Sequence, residues 1–171
     1  MRIYLIGYMG AGKTTLSKKL ANLLGYNYID LDQMFEERYK IEIDSFFKKY
    51  DEKAFRNIES QLLKETASLN SVVIATGGGT PCYHDNMSWM NQHGITVYLE
   101  MHPRSLFKRL ILSKKKRPLV LSHRPAELLL FIKNHLVERN KFYNQAAIII
   151  KGEDIDPSDL HQRILKFQER N

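Results

Sequence analysis

Gly7-Tyr8-Met9-Gly10-Ala11-Gly12-Lys13-Thr14 fits the pattern G-x-x-x-x-G-K-[ST], with an additional glycine at position 10. It stands between an apolar run, Ile3-Tyr4-Leu5-Ile6, and a helix-like run from Thr15 to Leu24. In that setting the backbone N–H groups of a glycine-rich turn point inward at an anion, and the helix N-terminus adds its partial positive charge. Lys13 then reaches the β- and γ-phosphates, and the Thr14 hydroxyl becomes a ligand for Mg2+. The stretch implies a nucleoside-triphosphate site. A flexible turn ahead of a helix is the plainer alternative.

Working outward, short apolar runs at 2–6, 26–29, 71–75, 95–99 and 146–150 alternate with helical patterns. Val72-Val73-Ile74-Ala75 and Ala146-Ala147-Ile148-Ile149-Ile150 are continuous, as strands covered on both faces are. Leu16, Leu20, Leu23 and Leu24 keep helical spacing, and Gly25 is a fitting C-terminal stop. Phe46, Phe47, Phe55, Ile58, Leu62 and Leu63 mark two helical stretches between the second and third strands. This alternation predicts an α/β fold, a five-stranded parallel sheet with helices on both faces in a three-layer sandwich. No repeat or linker divides the 171 residues, so a single domain, 1–171, is expected. Ligands in such folds collect at the carboxyl ends of the strands.

The net charge of +7 is local. Arg104, Lys108, Arg109, Lys114, Lys115, Lys116, Arg117 and Arg124 lie between His102 and Arg124 with no acidic residue among them. The other 18 basic residues nearly cancel the 19 acidic ones. One basic segment beside a nucleotide site most simply answers triphosphate charge; an RNA-binding patch is the alternative, though Phe107 is the segment's only aromatic residue. Cys82 alone precludes an internal disulfide and suits a reducing compartment. No signal peptide fits ahead of the first strand, and no apolar run is long enough to span a membrane. A cytoplasmic monomer with small-molecule partners, not nucleic acid or membrane, is expected.

Asp30-Leu31-Asp32 closes the second run. In extended chain the two carboxylates face one pocket, one to hold a Mg2+-bound water and the other to accept a hydrogen bond from an attacking hydroxyl. Helix capping by Asp32 is the alternative. Gly77-Gly78-Gly79 follows the third run, where three glycines suit backbone lying directly against a ligand. Arg56 and Arg139 each sit on a helical stretch beside aromatic residues, and arginine offers bidentate recognition of a carboxylate. Arg56 with Glu59 also fits a plain i,i+3 ion pair. Residues 114–124, with Arg117-Pro118-Leu119, read as a loop able to close over phosphates, with a solvated basic loop as the equal alternative.

These features in this order resemble the shikimate kinase family. The markers are Gly7–Thr14, Asp30-Leu31-Asp32, Phe55-Arg56-Asn57-Ile58-Glu59, Gly77-Gly78-Gly79, Arg117-Pro118-Leu119, and Arg139 with Tyr143. The resemblance implies a P-loop NTPase-type fold and transfer of the ATP γ-phosphoryl group to the 3-hydroxyl of shikimate, with Mg2+. It also implies a substrate-binding helical region about 32–68 and a lid about 113–124. Lys13, Asp32 and Arg117 are then catalytic. Gly10, Ala11, Gly12, Lys13, Thr14, Thr15, Arg109, Arg117 and Pro157 hold the nucleotide. Asp32, Arg56, Gly77, Gly78, Gly79 and Arg139 hold shikimate, and Glu59 orients the arginines. Thr14, with Asp30 through water, serves the metal. Two other readings stay open here: a gluconate kinase-like enzyme, and a phosphate-loop enzyme that modifies RNA through the basic segment.

Overall fold

The computed structural model describes residues 1–113 and 123–170. Strands β1 (Arg2–Ile6), β2 (Asn27–Asp30), β3 (Val72–Ala75), β4 (Ile95–Glu100) and β5 (Ile148–Lys151) form one sheet, ordered β2-β3-β1-β4-β5. Every pairing is parallel, with Leu5 opposite Ala75 and Val97 opposite Ile148 in register. The described helices are α1 (Lys13–Leu24), α2 (Leu31–Tyr39), α3 (Ile43–Lys49), α4 (Glu52–Glu65), α5 (Asn86–His93), α6 (Pro103–Leu112), α7 (Pro125–Tyr143) and α8 (Pro157–Gln168). None of them is long and apolar enough to cross a membrane.

The central strands carry no polar face because both sides are covered: Ile3, Tyr4, Leu5, Ile6, Val73 and Ile74 are fully buried. The Ala146–Ile150 run behaves differently from expectation. Its strand starts at Ile148 and lies at the sheet edge, where one face is uncovered and Ile149 is 41% exposed. Gly25 ends α1 in the left-handed conformation (φ 66°), and its N–H bonds back to Asn22.

The strand order decides where the site lies. β1 and β3 are neighbours, yet the chain leaves β1 toward β2 and leaves β3 toward β4, on opposite sides. Right-handed crossovers in opposite directions put their helices on opposite faces, and a crevice opens between the two strand ends. The loops after β1 and β3 enter that crevice. Beside it, α2, α3 and α4 enclose a small core of their own, with Phe35 edge-on to Phe46 at 5.2 Å and to Phe55 at 5.0 Å. Three helices occupy the span in which the apolar spacing indicated two.

Candidate active site

The chain from Gly7 to Gly12 turns with φ values that favour glycine: 142° at Gly7, 80° at Gly10 and 100° at Gly12. Gly12 caps α1 in the left-handed conformation, so the first amides of α1 open on the turn. Lys13 is buried and lies along the turn, donating to the carbonyls of Gly7 (2.8 Å) and Tyr8 (3.0 Å). This is an anion cradle with its ammonium already in place.

Asp30 joins the cradle to the next element. Its Oδ2 accepts from the Thr14 hydroxyl at 2.8 Å and from Tyr28 at 3.2 Å, while Oδ1 accepts the N–H groups of Asp32 and Gln33. Burial first, then the Asp30 carboxylate, pushes the Tyr28 phenol above its ordinary range. The extended geometry expected for Asp30-Leu31-Asp32 is not what forms. The strand stops at Asp30, which caps α2 itself, and Asp32 stands in the first helical turn. Both aspartates still line one cleft because the cap turns the chain back over the strand end. A hydroxyl beside a carboxylate is a hard-oxygen pair that suits Mg2+, which takes few protein ligands and completes its shell with phosphate and water. Among the described residues no cluster of three or more His, Cys, Asp or Glu offers a different metal site.

The cleft encloses about 360 Å3, with the phosphate turn on one wall and Asp32, Arg56, Glu59, Gly77, Gly78, Gly79 and Arg139 on the other. Arg56, on α4, is held from two sides. Nη1 donates to Glu59 Oε2 at 2.8 Å and Nη2 to Glu52 Oε1 at 3.0 Å, and the guanidinium lies over the Tyr83 ring at 4.3 Å. Burial opposes its charge, but Glu59 and Glu52 outweigh burial and keep it protonated. Glu59 is buried and takes the Thr80 hydroxyl on its second oxygen at 2.6 Å. The i,i+3 ion pair and a cleft position are therefore both real for Arg56.

Arg139, on α7, is only 8% exposed, and its Nη1 has no hydrogen-bond partner among the described residues. A buried polar group in that condition is costly unless something else reaches it. Its guanidinium sits over the Tyr8 ring at 5.3 Å. Tyr143, one turn on, donates to the Gly78 carbonyl and ties α7 to the glycine loop.

The three glycines are there for side chains as much as for a ligand. A β-carbon on Gly77 would meet Glu59 Oε1 at 2.7 Å and Asp32 Oδ1 at 2.9 Å. One on Gly78 would meet the Met9 amide nitrogen at 3.1 Å and Arg139 Nη1 at 3.3 Å, and one on Gly79 the Arg56 guanidinium at 2.5 Å. The loop is stripped so that the carboxylates and arginines converge over it.

A second pocket of about 240 Å3 lies across the phosphate turn, lined by Gly12, Thr15, Lys19, Arg109 and residues 152–155. Arg109 spans it, donating to the carbonyls of Ala11 (3.0 Å) and Glu153 (3.1 Å). Pro157 opens α8 behind Asp156, and it lines neither pocket. Arg117 and most of the expected lid lie outside the described residues. Tyr8, Glu52, Thr80 and Tyr83 were not singled out by sequence. Glu52 had a signal, its i,i+4 spacing to Arg56. Tyr8 had none, because it fills a position the motif leaves free.

A parallel sheet in this order, with a lysine-bearing phosphate turn at the end of its first strand, defines a phosphate-loop nucleotide-binding domain. The family model for shikimate kinase matches residues 9–169. A shikimate kinase from Parabacteroides distasonis is 46% identical over 161 residues, 94% of this chain and 93% of its own. The one from Bacteroides thetaiotaomicron is 42% identical over 99% of this chain and 97% of its own. A crystal structure of shikimate kinase from Bacteroides thetaiotaomicron superposes with a TM-score of 0.91 at 43% identity, covering 99% of this chain and 98% of that one. Shikimate kinase from Acinetobacter baumannii, solved in complex with shikimate, gives 0.84 at 35% identity over 99% and 93%. The chain belongs to the shikimate kinase family.

Proposed function

We propose that this protein transfers the γ-phosphoryl group of ATP to the 3-hydroxyl of shikimate, giving ADP and shikimate 3-phosphate. The observation that carries this reading is the buried Arg139 guanidinium, its Nη1 without a hydrogen-bond partner among the described residues, in a cleft whose facing wall is the phosphate turn. An acceptor carboxylate supplies the missing partner in a bidentate or forked contact. Arg56 supplies the second half of that clamp, held ready by Glu59.

In this reading the amides of Gly10 to Thr15 and the Lys13 ammonium hold the β- and γ-phosphates. Arg109 and the 152–155 segment flank the nucleoside. Asp32 orients the acceptor hydroxyl and takes its proton as the oxygen attacks phosphorus. The γ-phosphoryl moves in line to that oxygen, and ADP leaves with the bridging oxygen's electron pair. Lys13, and Arg117 from the lid, offset the charge spreading over the transferred group. Thr14 and Asp30 fit Mg2+, which when bound neutralises charge on the β- and γ-phosphate oxygens. The enzyme acts as a cytoplasmic monomer: its single cysteine suits a reducing compartment, and one chain supplies every group named.

A coupled ADP-release assay with shikimate, quinate, gluconate and no acceptor tests the proposal. Release with shikimate well above all three others is expected. Equal release without acceptor, or faster release with gluconate, refutes it.

A further inference from the structure

We propose that Tyr8 and His135 form a positioning pair that aims Arg139 at the acceptor carboxylate. The inference rests on the activity argued above and adds two residues to it. Tyr8 is 1% exposed and touches both halves of the site. Its backbone carbonyl receives the Lys13 ammonium at 3.0 Å, and its ring lies beneath the Arg139 guanidinium. Its hydroxyl reaches His135 Nδ1 at 3.0 Å, with the two rings edge to face at 5.6 Å and 88°. His135 is one helical turn before Arg139 on α7. One helix therefore carries both the cation above the Tyr8 ring and the anchor at the end of that ring. Phe131, one turn earlier, packs on His135 at 5.0 Å and fixes the imidazole from behind.

The surroundings keep both partners of the bond neutral. Burial pushes the Tyr8 phenol up to about 12, against the pull of Arg139, so its hydroxyl keeps its proton. Burial and then Arg139 hold His135 below its usual value, so the ring stays neutral. Two neutral groups thus share one hydrogen bond, and either imidazole tautomer anchors the Tyr8 hydroxyl.

The pair matters because Arg139 has no ion-pair anchor among the described residues, and only the Tyr143 hydroxyl bonds to it besides. Arg56 is fixed by two carboxylates, whereas no carboxylate among the described residues pairs with Arg139. The heading of its planar guanidinium is set by Tyr143 on one side and by the Tyr8 face on which it rests, through a cation–π contact. A ring anchored at its hydroxyl is a fixed platform, and a ring free to tilt is not. Preorganised charge of this kind acts on substrate binding and placement more than on the chemical step.

The test measures shikimate affinity by calorimetry and steady-state kinetics for Tyr8→Phe, His135→Leu and His135→Asn, with unfolding temperatures to confirm that each is folded. Tyr8→Phe and His135→Leu are expected to weaken shikimate binding about three- to tenfold, with shikimate KM rising more than kcat falls and ATP KM moving least. His135→Asn, whose amide returns a hydrogen-bonding group near the Nδ1 position, is expected to recover most of the loss. The double variant should be no worse than either single one, since both remove the same bond. Unaltered shikimate affinity in folded Tyr8→Phe overturns the proposal. So does a parallel rise in ATP KM, which would assign the pair to the phosphate turn alone. A wild-type protein that binds shikimate while Asn fails to rescue also counts against it, without touching the activity. A wild-type protein that neither binds nor phosphorylates shikimate overturns both.

Discussion

The Arg56 guanidinium occupies the space that a side chain at Gly79 would need: a β-carbon there would lie 2.5 Å from Nη2. Gly79 has an ordinary backbone conformation (φ −91°), so this glycine is required by its neighbour and not by its own torsion.

Gly79→Ala should accordingly disturb shikimate binding more than the fold. The atoms in the way are those of the Arg56 guanidinium, which must shift within its clamp of Glu52 and Glu59, at a stability cost of about 1–3 kcal/mol. Shikimate affinity should fall more than about tenfold as the clamp opens. Gly94→Ala makes the opposite pattern, because its β-carbon would press on the Arg2 backbone carbonyl at 2.5 Å, remote from the cleft. It should cost about 1–3 kcal/mol of stability with little change in shikimate KM of the folded fraction. Thermal unfolding beside kinetics distinguishes the two, and a shared phenotype would refute the assignment.

The two aspartates should separate in a Mg2+ titration. Asp30→Asn preserves the helix cap, since asparagine caps as well, but replaces the carboxylate beside Thr14 with a neutral amide. Its unfolding temperature should hold while the Mg2+ needed for half-maximal rate rises. Asp32→Asn should lower kcat steeply with Mg2+-ATP still bound, because the acceptor for the hydroxyl proton is gone. Exchanged phenotypes would reverse the roles.

Acid stability should report His135. Its folded pKa lies below the ordinary 6.5, with burial the main cause. The groups facing it are Tyr8 on the phosphate turn, Glu138 and Arg139 on α7, and Glu52 and Arg56 on α4. As pH falls through 6.5 the unfolded chain takes up this proton before the folded one does, so stability declines with falling pH. The decline levels once the folded ring is also protonated. His135→Asn should have a flatter unfolding-temperature profile between about pH 7 and pH 5. A profile with the wild-type slope would mean that other groups dominate there.

The sheet was legible because β1 and β3 are buried on both faces and so read as unbroken apolar runs. The edge strand was less so, since Ile149 belongs to an apolar run yet faces outward. The phosphate turn, Asp30, Asp32, the glycine triplet and both arginines stood out as residue types in order along the chain. What sequence could not supply was contact. That Asp30 rather than Asp32 caps α2 depends on where the strand stops. That each of the three glycines clears space for a different side chain depends on α2, α4 and α7 meeting over one loop. Tyr8 fills a position the phosphate motif leaves free, and only the fold brings His135 to it across 127 residues of chain.

Calorimetric binding of shikimate and of ATP to the wild type and to Arg139→Ala decides whether Arg139 grips the acceptor. With its buried guanidinium as the carboxylate's partner, the variant should bind shikimate more weakly by roughly 2–5 kcal/mol, and ATP with nearly wild-type affinity. Intact shikimate affinity with weakened ATP binding would place Arg139 in the nucleotide site and contradict the account.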